Sequence, residues 1–299
     1  MSSSADITRT VTNKIVNLIE SGTPPWVHLQ AKRQLARNIV TGRAYTGINS
    51  LTLNFCYDYE RPYFITRKQI EKLGGVTPHW VKSVPVYFYL PIRKDIQGNI
   101  IQRRDILKTK VSTSYLIFRE MEVYHVDDVE GIDFTFPALP EETMDVTQVG
   151  ENLLASFHDV PKIKRNRKGN AYYRIDKDYI SIPPIEDFPR ESQYYNVLFH
   201  ELIHGTGAAH RLNRKGVSPN RGKRTARIYA QEELVAEIGA AFLARQAGFD
   251  SPEAYEDSAS YLSSYLDLLN KDSRAIFFAA TAAQKAVDYL NGKPVKKYK

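Results

Sequence analysis

Cysteine is almost absent from this sequence: Cys56 is the only one among its 299 residues. A disulfide within the chain is therefore excluded, together with the disulfide-stapled frameworks of small secreted proteins. Long apolar runs are also missing, and a membrane-spanning helix needs roughly 18 such residues in a row. The first residues, MSSSADITRT, lack the basic flank and apolar core of a secretory signal. These absences predict a cytoplasmic protein that does not enter a membrane.

Extreme composition is absent as well. Hydrophobic residues make up 42% of the chain and charged residues 25%, which is typical of globular proteins and excludes a disordered chain. A length of 299 residues allows two domains of ordinary size. Cys56 lies in an aromatic run without a partner motif, and we expect it to be buried rather than reactive.

Charge is unevenly distributed along the chain. Residues 1–119 contain 18 Lys+Arg and 7 Asp+Glu, a net charge of +11, whereas residues 120–150 contain nine acids and no Lys or Arg. The basic part predicts a polyanionic partner, most simply nucleic acid, although a solvated face that binds nothing explains the charge equally well. The acidic, proline-containing stretch predicts a boundary, so the expected domains are residues 1–130 and 145–299 with an acidic linker at 131–144.

Hydrophobic periodicity separates an α+β first part from a mainly helical second part. Apolar spacing from Val11 to Ile19 predicts a helix, and Thr66 with Gln69 forms a capping box that predicts another. The predicted fold class is therefore α+β, with a short sheet in the second domain. The predicted strands span 84–90, 115–118, 122–125, 171–175 and 179–182, and the later helices span 145–157, 192–208, 228–247, 252–270 and 273–291.

Residues 199–204 read Phe-His-Glu-Leu-Ile-His and contain the metal-binding pattern His-Glu-x-x-His. His200 and His204 lie four residues apart, so on a helix both rings reach one metal ion, and Glu201 beside them can take a proton from metal-bound water. Two surface histidines with a solvated acid are the alternative. The helical context disfavours that alternative, as does the preceding strand 179–182, where peptidases of this kind place the edge that pairs with an extended substrate.

Zinc needs a third protein ligand and an open coordination position. His210 completes the metzincin signature His-Glu-x-x-His-x-x-Gly-x-x-His, but all three methionines precede the motif, so the Met-turn of that class is missing. Glu233 is the favoured ligand, because a later helix delivers it in the gluzincin arrangement and Glu237, one turn on, can orient a ligating histidine. Glu232 is a third and weaker candidate.

A site of two histidines and one glutamate polarises a substrate carbonyl and lowers the pKa of bound water. Glu201 would then act as general base on that water and deliver the proton to the leaving amine. Tyr229, one turn before Glu233, is a candidate for stabilising the tetrahedral oxyanion, and a packed core aromatic is the favoured alternative for this ring.

Several motifs outside the metal pattern carry a resemblance to a known family. They are Tyr194-Tyr195, Thr206-Gly207, Arg211 to Arg214 and Tyr229 to Glu237 in the second half, and Pro25-Trp26, Arg37-Asn38, Val40 to Arg43 and Gly47 to Asn49 in the first half. Together with the His-Glu-x-x-His run, these motifs resemble the ArdC-type antirestriction proteins carried on conjugative plasmids, over nearly the whole chain.

This resemblance implies an N-terminal domain that binds single-stranded DNA and a C-terminal zincin-like metallopeptidase domain. It also implies protection of incoming DNA from host restriction. The expected cofactor is Zn²⁺, with Mn²⁺ as the alternative. Members of the family often carry Trp after the second histidine, whereas Gly205 stands there in this chain, so we expect a more open pocket at that point.

Residues 24–63 interleave basic and aromatic side chains, as proteins that bind single strands do, because cations contact phosphates and flat rings stack on unpaired bases. Thr41-Gly42-Arg43 reads as a turn that presents Arg43 and Tyr45. No base-reading helix is recognisable, so weak sequence preference and marked salt dependence are expected. The predicted DNA-binding residues are Trp26, Lys32, Arg33, Arg37, Asn38, Arg43, Tyr45 and Asn49.

Three functions compete. A zinc peptidase recruited to DNA would cut a protein that sits on or attacks that DNA, such as a restriction protein or a DNA-bound host protein. A non-catalytic protector would shield DNA physically and use its metal for structure alone, which would leave the general base Glu201 without a purpose. A nuclease is the weakest idea, because nucleases commonly use carboxylate-rich sites with two metals.

Overall fold

The contacts of the chain define two compact units that alternate along the sequence. The computed structural model describes residues 4–22, 24–26, 34–57, 59, 61–101, 110–137, 145–166, 169–218, 225–249 and 258–295. Unit 1 comprises Met1–Ile7 and Phe64–Asp133, and unit 2 comprises Thr8–Tyr63 and Phe134–Lys299. These units differ from the linear division at residues 131–144, which stays a prediction.

Helices and strands alternate in the first half of the chain, and helices dominate the end. In chain order, the elements are α1 (Ser4–Glu20), β1 (Arg37–Asn38), α2 (Ile48–Phe55), β2 (Tyr63–Thr66), α3 (Arg67–Lys72), β3 (Val84–Lys94), β4 (Thr113–His125), α4 (Val146–Ser156), β5 (Lys162–Arg165), β6 (Tyr172–Arg174), β7 (Tyr179–Ile182), α5 (Glu191–Thr206), α6 (Ala226–Ala247), α7 (Ser258–Lys271) and α8 (Ala275–Leu290). This mixture of helices and small sheets agrees with the predicted α+β class.

Unit 1 is built around a long antiparallel ribbon of β3 and β4, and β2 pairs with the other edge of β4. The prediction of separate strands at 115–118 and 122–125 is wrong, because the intervening residues 119–121 keep their pairing with β3 and make β4 continuous. α3 begins directly after β2 with the predicted capping box, in which the Thr66 side chain accepts a hydrogen bond from the backbone N–H of Gln69.

The core of unit 2 is a group of packed helices. α6 packs against α5, α7 and α8, and α4 packs on α5. A Cβ at Gly150 of α4 would lie 2.3 Å from the Tyr195 ring of α5, so only glycine allows this approach. The predicted helices of the second half agree with α4 to α8, except that residues 252–257 lie outside the described ranges. None of the described helices is both long and apolar enough to cross a membrane.

A three-stranded sheet lies against α5 in unit 2, in the order β5-β7-β6. β7 is the central strand, since it pairs with β5 in parallel and with β6 in antiparallel orientation. The expectation that residues 179–182 offer a free edge is therefore wrong. Its cause is β5, a mostly basic segment with a single apolar residue, which carries no strong strand pattern in the sequence.

Residues 8–63 contribute to the core of unit 2. α2, which the sequence analysis does not predict, packs on α8. Phe55 stacks on Phe242 of α6 with ring centroids 6.2 Å apart, and Trp26 meets Tyr265 of α7 edge-on at 5.9 Å. Residues 8–63 belong to unit 2 because these rings are buried against its helices. Removing apolar area from water is the main stabilising contribution to a core.

Cys56 has the properties of an unreactive thiol. Burial raises its pKa to about 12, and the nearby Lys14 ammonium lowers it only in part. The thiolate is the reactive form of cysteine, and it is scarcely populated at neutral pH with such a pKa. This agrees with the expectation of an unreactive thiol, although Cys56 is half-buried rather than fully buried.

Candidate metal centre

The two histidines of the His-Glu-x-x-His run lie on one face of α5. Their ring centroids are 4.8 Å apart and their Nε2 atoms 3.1 Å apart. Glu233 reaches them from α6, with its Oε2 atom 3.4 Å from Nε2 of His200 and 3.6 Å from Nε2 of His204. Within the described ranges, these three side chains form the one group whose ligand atoms are close enough to share a metal ion.

The spacing of these donor atoms fits a single divalent ion. In a tetrahedral zinc site with bonds of about 2.1 Å, two donors lie roughly 3.4 Å apart. The observed separations of 3.1, 3.4 and 3.6 Å scatter around that value. Two imidazole nitrogens and one carboxylate oxygen are also a donor set that zinc accepts, with a fourth position left for water.

A close approach of α5 and α6 brings Glu233 within reach of the histidines. Gly239 of α6 faces Ile203 of the His-Glu-x-x-His run, and a Cβ at position 239 would lie only 2.7 Å from Cγ1 of that isoleucine. A branched side chain cannot move away cheaply in a close-packed interior. Gly239 therefore sets the distance between the two helices that carry the candidate ligands.

Each histidine has a second carboxylate behind it. Oε1 of Glu237 lies 3.4 Å from Nδ1 of His200, and Oε1 of Glu232 lies 3.2 Å from Nδ1 of His204. A carboxylate at Nδ1 holds a proton there and leaves the Nε2 lone pair directed at the metal position. The sequence predicts this role for Glu237 only. Glu232 is a weak ligand candidate in the sequence, but its carboxylate contacts Nδ1 of His204 rather than the group of three donor atoms.

Arg214 fixes the position of Glu232. Both side chains are buried, and Arg214 donates to both carboxylate oxygens, from Nη2 at 2.6 Å and from Nε at 3.0 Å. Arg214 also donates to the hydroxyl of Thr206 and to the carbonyl of Ile203, both at 2.6 Å. A buried ion pair persists when such additional hydrogen bonds satisfy its charged groups. This role of Arg214 is not evident from the sequence, because Arg214 is remote in the chain from Glu232.

The carboxylates around the histidines determine the charge of the site. Burial lowers the pKa of His204, but the hydrogen bonds that it donates to Glu232 and Glu233 outweigh burial and raise the pKa to about 10. Burial raises the pKa of Glu233, yet the two histidines hold it well below its usual value. The site therefore attracts cations, and a metal ion must displace protons from the imidazoles in order to bind.

His210, the alternative third ligand, lies outside this group. Its Nε2 atom is 3.5 Å from Oδ2 of Asp178, and its side chain is 55% exposed. The chain turns back after α5, where Leu212 donates to the carbonyl of Thr206 and Asn213 adopts a positive φ of 54°. This turn directs His210 away from the two histidines of α5.

A cleft of about 330 Å³ opens beside the three candidate ligands. Glu201 and Tyr229 both line it, as do Val217 and the β6 residues Tyr172 and Tyr173. Glu201 thus lies in the wall of the cleft beside the candidate ligands, and its role as general base stays a prediction. Tyr229 is half-buried at the cleft, and its role in stabilising an oxyanion stays a prediction.

Gly205 does not open this cleft, so the expectation of a wider pocket at that position is wrong. A Cβ at Gly205 would lie 2.5 Å from Cγ of Pro161 and 3.6 Å from the Tyr173 ring. The glycine thus lies in a tight contact between α5 and the sheet. A larger residue there requires Pro161 to lie elsewhere.

Three of the predicted DNA-binding side chains are buried. Trp26 is 1% exposed and packs on Tyr265, while Asn38 and Asn49 are 8% and 4% exposed. Oδ1 of Asn38 accepts a hydrogen bond from the backbone of Thr41 and closes the predicted turn. These three residues serve the fold in this structure, and their contact with DNA stays a prediction.

The remaining predicted DNA-binding residues divide into two groups. Arg43 is exposed beside the turn at Gly42, which has a φ of 67°, and Arg37 and Tyr45 are half-buried. Lys32 and Arg33 lie outside the described residues. In unit 2, the predicted DNA-binding side chains that solvent can reach in the described residues are therefore those of Arg37, Arg43 and Tyr45.

The sequence analysis misses one exposed ring in unit 1. Trp80 is 69% exposed, the highest exposure among the large aromatic side chains described, and it meets His79 edge-on with ring centroids 4.8 Å apart. Lys82 follows it with an exposed side chain. The sequence does indicate a candidate stacking ring here, since a tryptophan stands between His79 and Lys82. This position lies outside the segment 24–63, in which basic and aromatic residues alternate.

Two helices bring two histidines and a glutamate together beside a cleft, and a further glutamate lies in the cleft wall. This arrangement is typical of a zincin-like metallopeptidase domain. The model of the family described as zincin-like metallopeptidase matches residues 152–282. The model described as the N-terminal domain of anti-restriction factor ArdC matches residues 5–124. The two matches together cover most of the chain.

Solved structures extend this likeness over nearly the whole length. The metal-free crystal structure of the antirestriction protein ArdC from plasmid R388 is 30% identical, with a TM-score of 0.74, covering 95% of this chain and 96% of that chain. The Mn(II)-bound structure is 31% identical, with a TM-score of 0.73, covering 96% and 97%. The chain belongs to the family of ArdC antirestriction proteins, which confirms the family predicted from its motifs.

Curated relatives differ in length. The protein y4eC of Sinorhizobium fredii (strain NBRC 101917 / NGR234) is 29% identical over 297 residues, covering 96% of this chain and 92% of its own length. Two proteins named DNA primase TraC from Escherichia coli are 26% and 28% identical and cover 94% of this chain. The chain spans only 26% and 19% of the length of those two proteins.

We expect His204→Ala and Glu233→Ala to deplete the purified protein of metal, because each variant removes one of three donors. His210→Ala is the matched control, since its imidazole faces Asp178, and it should keep near-stoichiometric metal. Plasma mass spectrometry of the purified proteins measures the content. Metal loss in His210→Ala together with retention in Glu233→Ala would reverse the choice of ligand.

Glu232→Gln should weaken metal binding by about 10- to 100-fold, the range typical when a partner of a ligating histidine is removed. The amide can neither hold the Nδ1 proton of His204 as firmly nor balance the charge of Arg214. Competition titration against a chromophoric chelator measures the affinity, with circular dichroism as a check on folding. Glu191→Gln, at the exposed start of α5, is the control. A folded Glu232→Gln variant with wild-type affinity would contradict the orienting role.

Proposed function

We propose that this chain is an antirestriction protein that binds single-stranded DNA and hydrolyses a protein at a single metal centre. His200, His204 and Glu233 would hold the ion, and Glu201 would be the general base. The observation that carries the proposal is the convergence of three donor atoms at 3.1 to 3.6 Å in a cleft that Glu201 also lines. A purely structural metal site has no need of this second acid, which is not one of the three donors.

A divalent metal at this site supplies Lewis-acid polarisation of a peptide carbonyl and acidifies water. Zinc is the proposed ion, because two imidazoles and one carboxylate suit it, and manganese is the alternative, since the related ArdC structure contains Mn(II). The chain itself performs the proton transfers. A carboxylate oxygen of Glu201 accepts a proton from the attacking water and then donates it to the nitrogen of the leaving amine as the peptide bond breaks.

Tyr229 is proposed to stabilise the developing oxyanion. Its ring is half-buried and lines the cleft with the candidate ligands. A phenolic O–H is a suitable donor to an oxyanion, and it acts most strongly where water is excluded. Tyr229 lies one helical turn before Glu233, so both side chains project from the same side of α6.

The outer edge of β6 is proposed to bind the substrate as an extended peptide. β6 is an edge strand of the sheet in the described residues, and its residues Tyr172 and Tyr173 line the cleft. An added strand would satisfy its backbone groups through main-chain hydrogen bonds, which give affinity without a strict sequence requirement. A restriction protein or another host protein bound to DNA is the expected substrate class, and its encounter with incoming DNA implies a cytoplasmic location.

Single-stranded DNA binding is proposed from features of each unit taken separately. In unit 2, Arg43, Arg37 and Tyr45 lie at an exposed turn. In unit 1, the exposed ring of Trp80 offers a base-stacking surface beside Lys82. The match to the N-terminal domain of ArdC and the likeness to two proteins named DNA primase support a chain that works on DNA.

Glu201→Gln separates catalysis from shielding. The variant should bind metal and single-stranded DNA like the wild type, but lose protection of an incoming unmodified plasmid and lose peptide cleavage by about 100- to 10,000-fold, the usual contribution of a general base. Plasmid entry into restricting and non-restricting hosts measures protection, with Glu191→Gln as the control. Full protection by the Glu201→Gln variant would leave a non-catalytic protector with a structural metal as the function.

Trp80→Ala should weaken binding of a fluorescein-labelled oligothymidylate by about 5- to 150-fold, since stacking on one ring contributes roughly 1–3 kcal/mol per base. Phe278→Ala on α8 removes another exposed ring, which is 60% exposed, and should leave the affinity unchanged. Fluorescence anisotropy at fixed salt measures both. Equal weakening by the two variants would show that Trp80 contributes no specific stacking.

A further inference from the structure

The face of the β5-β7-β6 sheet opposite α5 carries basic and aromatic side chains in two rows. Directly opposed residues on neighbouring strands point to the same face, and alternate residues of one strand share it. One row consists of Lys162, Tyr179 and Arg174. The second consists of Lys164, Ser181 and Tyr172. We call this surface the basic sheet face.

The opposite side of the same sheet is the buried one. Ile180 and Ile182 of β7 are fully buried, and α5 packs against β6 and β7. In contrast, the side chains of Lys162, Lys164 and Arg174 are exposed. The alternation along the strands therefore directs Ile180 and Ile182 inward and these three cations outward, while Arg165 at the end of β5 shares the inner face and contacts Tyr194 of α5.

The rings of the basic sheet face lie between its cations. Tyr172 is 41% exposed, and its ring centroid is 6.3 Å from that of Tyr179. The Lys164 ammonium lies 3.9 Å from the centroid of the Tyr179 ring. Tyr179 is half-buried, so Tyr172 is the exposed ring of this face. Cations beside an exposed ring form the combination that single-strand binders use, in which phosphates meet the cations and bases lie on the ring.

Acidic groups neutralise little of the positive charge of the basic sheet face. Asp176 forms an ion pair with Arg174 at 2.8 Å, in which both side chains are about half exposed. Asp178 is engaged by Arg211 at 2.7 Å and by the Tyr173 hydroxyl at 2.8 Å. Lys162 and Lys164 therefore remain the main positive charges of the basic sheet face. The exposed ion pair of Arg174 with Asp176 can exchange its partner at little cost in free energy.

We propose that the basic sheet face is a second binding surface for single-stranded nucleic acid, separate from residues 24–63 and Trp80. An acidic peptide would use the cations alone, whereas the exposed Tyr172 ring has its best partner in an unpaired base. Tyr172 also lines the metal cleft. A strand bound on this face passes beside the cleft, so proteins carried on that strand meet the candidate metal centre without free diffusion.

Lys162→Gln/Lys164→Gln tests the charges. Each phosphate neutralised on a single strand contributes about 0.7 to the slope of log affinity against log salt, so the double variant should reduce that slope by about 1.4. Arg227→Gln/Lys271→Gln removes the same charge from exposed positions on α6 and α7 and should leave the slope unchanged. Anisotropy titrations with oligothymidylate and oligouridylate of about 16 nucleotides distinguish DNA from RNA as the ligand.

Photo-crosslinking tests the rings. An oligothymidylate with 5-iodouracil substitutions should crosslink to Tyr172 in the full-length protein, as identified by mass spectrometry, and Tyr172→Phe should retain affinity while Tyr172→Ala loses about 5-fold or more. Crosslinks confined to other regions, or equal slopes for the two charge variants, would overturn this surface. Those results would leave the DNA binding proposed above intact, whereas a wild-type protein without affinity for any oligonucleotide would defeat both.

Poly-glutamate serves as the competitor in the same titrations. If the basic sheet face is a nucleic-acid surface, poly-glutamate at equal charge concentration should displace the oligonucleotide poorly, because it has no rings to stack. Displacement by poly-glutamate as efficient as that by unlabelled oligothymidylate, with no effect of Tyr172→Ala, would identify an acidic peptide as the occupant and contradict the proposal.

Discussion

The buried ion pair between Arg214 and Glu232 connects the parts of the metal centre. Arg214 follows α5 in the chain and bonds back to its last turn at Ile203 and Thr206, while Glu232 belongs to α6 and faces the Nδ1 atom of His204. Charges removed from water are costly unless hydrogen bonds satisfy them, so the pair tolerates few arrangements. The ion pair therefore fixes how α5 and α6 are arranged, and with them the position of His204.

The two candidate histidine ligands are held with different firmness. The carboxylate behind His204 belongs to Glu232, whose side chain is 3% exposed, whereas the one behind His200 belongs to Glu237, whose side chain is 28% exposed. A carboxylate locked by arginine keeps its geometry, and one in contact with solvent can reorient. His204 therefore acts as the fixed point of the site, and His200 retains more freedom to adjust when a ligand enters the cleft.

Local spacing explains which parts of this protein could be predicted from sequence. Residues four apart share a helix face, so the pairing of His200 with His204 and of Glu233 with Glu237 follows from the sequence alone. The basic strand β5 and the link from Arg214 to Glu232 depend on contacts between distant segments, which spacing does not reveal. Composition cannot tell a buried ring from an exposed one either: Trp26 fills the core of unit 2, although its neighbours suggest a binding surface.

The interruption of unit 2 by unit 1 in the chain limits how pieces of this protein can be recombined with those of its relatives. A fragment that ends at the predicted boundary keeps Trp26 and Phe55 but loses Tyr265 and Phe242, the rings on which they pack. Rings stripped of their partners make an exposed apolar patch, which favours aggregation. A chimera should therefore take both segments of unit 2 from one parent, and both segments of unit 1, Met1–Ile7 and Phe64–Asp133, from the other.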